Sequence, residues 1–145
     1  MEVSVTLNRH RRTLPLLFGV FVGLSATAVL ASVRLAPTIP FDFIVADAVL
    51  QAGKYTFEIP ANRADAIVIR SSDRHVTQRV QQESLRAGGR TPEHKMVFTR
   101  YGEQRFLSQI WIAGDKFMRQ IARCSMEEKL IASGQEGTPV AIVMR

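Results

Sequence analysis

His75, two residues after Asp73, and His94, next to Glu93, are the side chains of this chain best equipped for proton transfer. A histidine held by a carboxylate is the usual general base, and Cys124 is the one thiol able to act as a nucleophile. A hydrolase also needs the nucleophile beside the base, and the sequence holds no Gly-x-Ser-x-Gly elbow and no clear partner for Cys124. Both histidines fall in turns or loops, where a solvated imidazole near an acid is common, so no catalytic residue is expected. Asp73, His75 and His94 could supply three zinc ligands, but nothing in their spacing demands a metal. No cluster of acids resembles a calcium loop, and Gly88-Gly89 is followed by Arg90, not by the Lys-Ser/Thr of a phosphate loop. No cofactor is expected.

Binding chemistry has a better candidate. Arg70, Arg74, Arg79, Arg86 and Arg90 form a basic middle segment without an aromatic residue. Phe98, Arg100, Tyr101, Arg105 and Phe106 interleave aromatic and basic groups around Gly102. A tight turn needs the glycine; it does not need flanking arginines and a tyrosine. Arg and Tyr join apolar contact area to directional hydrogen bonds, so Arg100, Tyr101 and Arg105 read as a contact surface. Paired arginines suit a carboxylate or phosphate.

The N-terminus sets the compartment. Arg9, Arg11 and Arg12 precede an uncharged run from Leu14 to Val33, with an apolar centre at Leu16–Leu24 and small residues at Ser25–Ala28. Val29-Leu30-Ala31 has the form of a cleavage site. This order is that of a secretory signal peptide over residues 1–31. An uncharged stretch of about 20 residues is also long enough for an uncleaved membrane anchor. In either case the rest of the chain is translocated, to the periplasm or the exterior. Export makes nucleic acid an unexpected partner and leaves an envelope protein or an anionic polymer; the membrane is a partner only if the segment is retained.

Removing residues 1–31 lowers the net charge from +6 to +4 and leaves room for one domain. With a single cysteine there is no internal disulfide, so strand pairing and packing must supply stability.

Those demands point to β-structure. Pro37 and Pro40 mark 32–40 as a linker, and 41–145 as one β-rich domain. Period-two alternation predicts strands over Phe41–Val45 and Tyr55–Ile59, and β-branched residues predict one over Ala66–Arg70. His75–Glu83, with Val76, Gln78, Val80 and Gln82 on one face, reads as an edge strand or a helix. Leu85–His94 reads as a loop. Lys95–Arg100 and Arg105–Ala113 form a hairpin, with Phe106, Ser108, Ile110 and Ile112 on one face of the second strand. Ser125-Met126-Glu127-Glu128 has the pattern of a capping box, opening a short helix that Ser133-Gly134 ends. Val140–Met144 is a last strand. The expected core is Phe41, Phe43, Tyr55, Phe57, Ile67, Ile69, Phe98, Phe106, Ile110, Trp111 and Val140. The expected fold is all-β, a small antiparallel barrel or sandwich of about seven strands with one short C-terminal helix.

Phe41-x-Phe43-x-Val45 with Leu50-x-Ala52-Gly53-x-Tyr55-x-Phe57 resembles the opening of an uncharacterised family of small exported bacterial proteins. Val97-Phe98-x-Arg100-Tyr101-Gly102, Phe106-Leu107-Ser108-x-Ile110-Trp111 and Ala113-Gly114-Asp115 resemble its second signature, and Ser125 with Glu127-Glu128 its third. Members usually have Pro where this chain has Gln51. The resemblance implies an exported β-rich domain without an assigned activity, and it supplies no catalytic residues. The expected function is therefore a non-enzymatic domain that binds or assembles with an envelope component. A small-ligand-binding β-barrel and a hydrolytic enzyme are the alternatives.

Overall fold

A computed structural model of the chain describes residues 32–144, apart from 62–64 and 74. The expected export segment, the end of the turn after Pro60 and Arg74 lie outside the described residues. Eleven strands join one sheet. They are β1 (Ser32–Leu35), β2 (Thr38–Ile39), β3 (Phe43–Val45), β4 (Ala48–Leu50), β5 (Gly53–Pro60), β6 (Ala66–Ser71), β7 (Thr77–Arg86), β8 (His94–Tyr101), β9 (Gln104–Trp111), β10 (Phe117–Ile121) and β11 (Thr138–Met144), with helix α1 (Ser125–Ala132) between the last two. The sequence of neighbours is β1-β5-β6-β7-β10-β9-β8-β11. β2 extends β1 along β5, and the β3–β4 hairpin extends β10 along β9. All pairings are antiparallel except β3 with β9.

Alternation builds the inner face. Tyr55, Phe57 and Ile59 on β5 are buried while their neighbours are half exposed. Ile67, Ile69, Val80, Met96, Phe98, Leu107, Ile110 and Ile112 continue that layer, and Phe43, Val45 and Leu50 close over it. Phe43 packs edge-on against Tyr55 and Phe98, with ring centroids 5.2 and 5.6 Å apart. Such contacts stabilise beyond their buried area. The fold is all-β as expected, but the sheet is not closed into a barrel. Its aromatics fill a core.

Four strands beyond the expected seven have physical causes. Segment 32–40, read as a linker, holds β1 and β2: Leu35 and Ile39 enter the core, and the Pro37 carbonyl accepts the Tyr55 amide at 3.0 Å. The prolines lie at a sheet margin, where a missing N–H costs nothing. β4 and β10 are too short to show a period. β7 runs on to Arg86 and is central, flanked by β6 and β10. It looked like an edge because its inner face is partly polar.

That polarity has a partner. Arg119 on β10 stands across from Ile110 on one side and Ser84 on the other, on the inner face. Its side chain is 4% exposed, and its guanidinium meets the Asp115 carboxylate at 3.0 Å. Gln82 and Ser84 lie beside it on β7. A buried guanidinium needs such company.

A bulge explains the largest difference within a strand. Phe98 pairs with Leu107, but Val97 pairs with Gln109, so Ser108 is an extra residue on β9. The bulge reverses the alternation. Leu107, Ile110 and Ile112 face the main core, whereas Phe106 faces outward into a second cluster with Ile44, Tyr101 and Cys124 beneath α1. Trp111, expected in the core, is half-buried on the outer face between Lys95 and Met118. Phe41 and Val140 are likewise half-buried; the remaining expected core residues are buried.

Candidate functional site

The tip of the β8–β9 hairpin is a two-residue loop, Gly102-Glu103, with Gly102 at φ +60°. That geometry asks for glycine at the first loop position. Arg100 and Arg105 are cross-strand partners on the side of Phe98, and the Arg105 guanidinium lies 4.8 Å from the centre of the Phe41 ring. Arg105 also donates to the Glu103 carbonyl at 3.5 Å. Arg100 is exposed. Tyr101 turns the opposite way, is buried, and donates its hydroxyl to Glu127 Oε1 at 3.2 Å. The structure thus brings the two arginines together and places the tyrosine on the other face of the sheet.

Tyr101 leads to a polar cavity of about 380 Å³. Thr99 and Tyr101 of β8, Ser108 and Gln109 of β9, and Gln120 of β10 form its floor. Arg123, Glu127 and Gly137 form its walls. The bulge at Ser108 creates this floor, because it turns the Ser108 hydroxyl outward to meet that of Thr99. Gln109 donates to Gln120 Oε1 at 3.3 Å and accepts the Trp111 indole N–H at 3.0 Å. Gly137 is required here by contact: a Cβ on it would lie 2.3 Å from Thr99 Cγ2 and 2.9 Å from the Tyr101 ring.

Glu127 is the charged group most altered by this setting. Burial beneath α1 pushes its carboxyl above the ordinary glutamate value, and the Tyr101 hydroxyl and the Arg123 charge only partly offset that. Burial, followed by the Glu127 charge, pushes the Tyr101 phenol up as well. Arg123 shares the cavity with Glu127, and among the described ion pairs none joins them. The cavity therefore offers a carboxylate, a guanidinium, three hydroxyls (Thr99, Tyr101 and Ser108) and two amides in one small volume.

The helix that carries Glu127 is not held by the expected capping box. Cys124 is the N-cap, and it has no side-chain capping bond. Ser125 is already the first helical residue, so its hydroxyl is misplaced to cap. The cap comes from Asp47, whose Oδ1 and Oδ2 accept the Met126 and Ser125 amides at 2.9 and 3.3 Å. Asp47 sits in the two-residue β3–β4 turn, where both Ala46 and Asp47 have positive φ. The Met126 amide is the main cause that holds the Asp47 carboxyl below its ordinary value.

The residues considered for catalysis remain apart. His75 is exposed in a turn whose Asp73 accepts its backbone amide. His94 Nδ1 accepts the Ala113 amide at 3.1 Å, which fixes its ring as part of the β8–β9 pairing. Cys124 is buried in the second cluster. Among the described residues, no group of three or more His, Cys, Asp or Glu could hold a metal ion, and no helix is long and apolar enough to cross a membrane. Sequence reasoning reads Glu127 as part of the Ser125-Met126-Glu127-Glu128 helix opening and not as a buried acid. No local spacing signals its burial: Arg123 precedes the extended N-cap Cys124 and lies outside α1, so the two are not one helical turn apart.

The chain matches no family model, no curated protein and no solved structure.

Proposed function

We propose that this chain is an exported, non-enzymatic β-domain that binds a component of the bacterial envelope, with segment 1–31 as its export signal. The cavity around Glu127 is the binding site in this reading. The observation that supports it is the pairing of the cavity's own groups. Thr99 and Ser108 hydrogen-bond to each other and not to a base, and Glu127 is engaged by Tyr101. Such hydroxyls are not activated nucleophiles, but they and the Gln109 and Gln120 amides can exchange partners with a polar ligand. The arginines at the hairpin tip supply a second contact on the other face, suited to a carboxylate or phosphate of an envelope polymer.

Retention on isolated envelope tests the reading. Protein carrying Gln120→Ala and Glu127→Gln should wash off faster than the parent while unfolding at a similar temperature. Arg100→Ala with Arg105→Ala should weaken retention at low salt more than at moderate salt, because exposed charges are screened. A folded quadruple variant retained as well as the parent at both salt levels would end the proposal. N-terminal sequencing of the exported protein tests the signal: removal of 1–31 is expected, and an intact Met1 in the membrane pellet means an anchor.

A further inference from the structure

The outer face of β1, β5 and β6 carries a second polar hollow, of about 600 Å³ and far from Glu127 in the strand order. Arg34, Glu58 and Arg70 line it with Thr56, Ser71, Ser72 and Thr77. Glu58 lies directly across from Arg34 and diagonally from Arg70. Its two oxygens are divided between them: Oε1 takes Arg34 at 3.0 Å and Oε2 takes Arg70 at 2.5 Å. One carboxylate on β5 thus splints two guanidiniums on the strands that flank it, β1 and β6.

We propose that this hollow is a phosphate-binding site, with Arg34 and Arg70 as paired forks. A surface ion pair contributes little to stability, so stability is a weak reason for this arrangement. Its effect on the arginines is stronger. A guanidinium has five N–H donors in a rigid plane, and each arginine is held by one contact while the others stay available. The triad keeps a net positive charge. The Thr56 and Thr77 hydroxyls face the same space and add neutral donors. Ser71 and Ser72 spend their hydroxyls on Asp73 and on the Lys54 carbonyl, so they shape the wall and do not donate. Arg79 is exposed on the same face, across from Val68, and adds long-range attraction. Arg70 is the chief cause that holds the Glu58 carboxyl below its ordinary value, so the splint stays charged through neutral pH. Bidentate geometry distinguishes such a site from a diffuse basic surface, because lysine cannot reproduce it.

The phosphate has two natural sources, a lipid headgroup and a phosphorylated polymer. Arg34 directly follows the uncharged stretch that ends at Val33, which brings the hollow near a bilayer if that stretch is retained. Full-length protein in non-ionic detergent is titrated with inorganic phosphate and followed by NMR at the arginine Nε–H and backbone amides. Saturable shifts at Arg34, Thr56, Arg70 and Thr77 are expected. Arg70→Lys should weaken binding about tenfold although it keeps the charge. Arg34→Ala, at a side chain 71% exposed, gives a variant whose folding is not at risk and should also weaken it. Vesicles of phosphatidylcholine with and without phosphatidic acid then separate the sources: recruitment by phosphatidic acid assigns a headgroup, and phosphate binding without recruitment assigns a polymer. Absent saturable shifts, an Arg70→Lys protein that binds as well as the parent, or recruitment that depends on phosphatidic acid without a response to inorganic phosphate would each overturn the site. None of these outcomes depends on the Glu127 cavity.

Discussion

The Asp47 carboxylate accepts the Met126 amide across 79 residues of sequence, so a β-hairpin caps the only helix among the described residues. The first amides of a helix have no intrahelical partner, and the first turn is the positive end of its dipole. A carboxylate from another element satisfies both, and it fixes where α1 sits on the sheet. Removing it should therefore loosen the helix together with what lies beneath it.

Asp47→Ala should lower the melting temperature and speed the reaction of buried Cys124 with a thiol reagent. The pH dependence has a definite sign. The folded carboxyl titrates below its ordinary 3.8, so the cap is fully effective above 3.8 and is lost as pH falls through the lower folded value. The gap in melting temperature between parent and variant should be constant near neutrality and close in acid. A gap that persists at the lowest pH at which the parent folds would show that Asp47 acts through the turn and not through charge.

Much of this architecture is legible in the sequence, for stated reasons. β5 shows its period because Tyr55, Phe57 and Ile59 bury one face while Thr56 and Glu58 stay outside. β9 hides its phase. The expected face of Phe106, Ser108, Ile110 and Ile112 assumes an unbroken alternation, and one extra residue at Ser108 sends Phe106 to the other side. β7 was obscured because a buried arginine on β10 makes polar residues the correct choice on its inner face. The cavity was illegible for the same kind of cause: its floor depends on the bulge, and its acid on a helix capped from Asp47.

Phe106 and Phe57 test the two clusters separately. Both are fully buried, and their replacement by alanine should cost about 3–5 kcal/mol each in urea unfolding. Only Phe106→Ala should also disturb the Tyr101–Glu127 contact, because the Tyr101 ring packs edge-on against it at 5.7 Å. A Phe106→Ala protein that melts within a few degrees of the parent would mean the second cluster is not packed.

Glu127 predicts a stability that changes in the opposite direction from that of Asp47. Its folded carboxyl titrates above the ordinary 4.5, so ionising it costs stability as pH rises from 4.5 through the folded value. Below 4.5 that cost is absent. Glu127→Gln keeps a hydrogen-bonding group for Tyr101 and should flatten this part of the stability curve. Unfolding midpoints across this range decide it; parallel curves for parent and variant would remove Glu127 as the titrating group.

Asp115 and Arg119 should be unequal partners. Arg119 is buried and its Nε has no hydrogen-bond partner among the described residues, whereas Asp115 keeps about a quarter of its side chain exposed. Asp115→Ala strands a buried cation and should cost about 3–5 kcal/mol. It also removes the acceptor of the Phe117 amide. Arg119→Met leaves Asp115 in contact with water and fills the same volume with apolar atoms, so its cost should be clearly smaller. Equal losses would mean that the pair is hydrated.

Gly137 offers the sharpest steric test of the cavity wall. Its φ is not in the left-handed region, so backbone preference does not explain the residue; contact does. Gly137→Ala places a methyl group 2.3 Å from Thr99 Cγ2, closer than carbon atoms can approach. The segment before β11 must then lift away from β8, at a cost of about 1–3 kcal/mol. The Tyr101 ring, 2.9 Å from the same methyl, should change its fluorescence or NMR environment. Thr99→Ser deletes Cγ2 but keeps the hydroxyl that meets Ser108. Combined with Gly137→Ala it should recover part of the lost stability, with the remainder reflecting Tyr101. Strict additivity of the two substitutions would show that the methyl group and Thr99 never meet, and that the Gly137 wall stands further from the cavity floor than described.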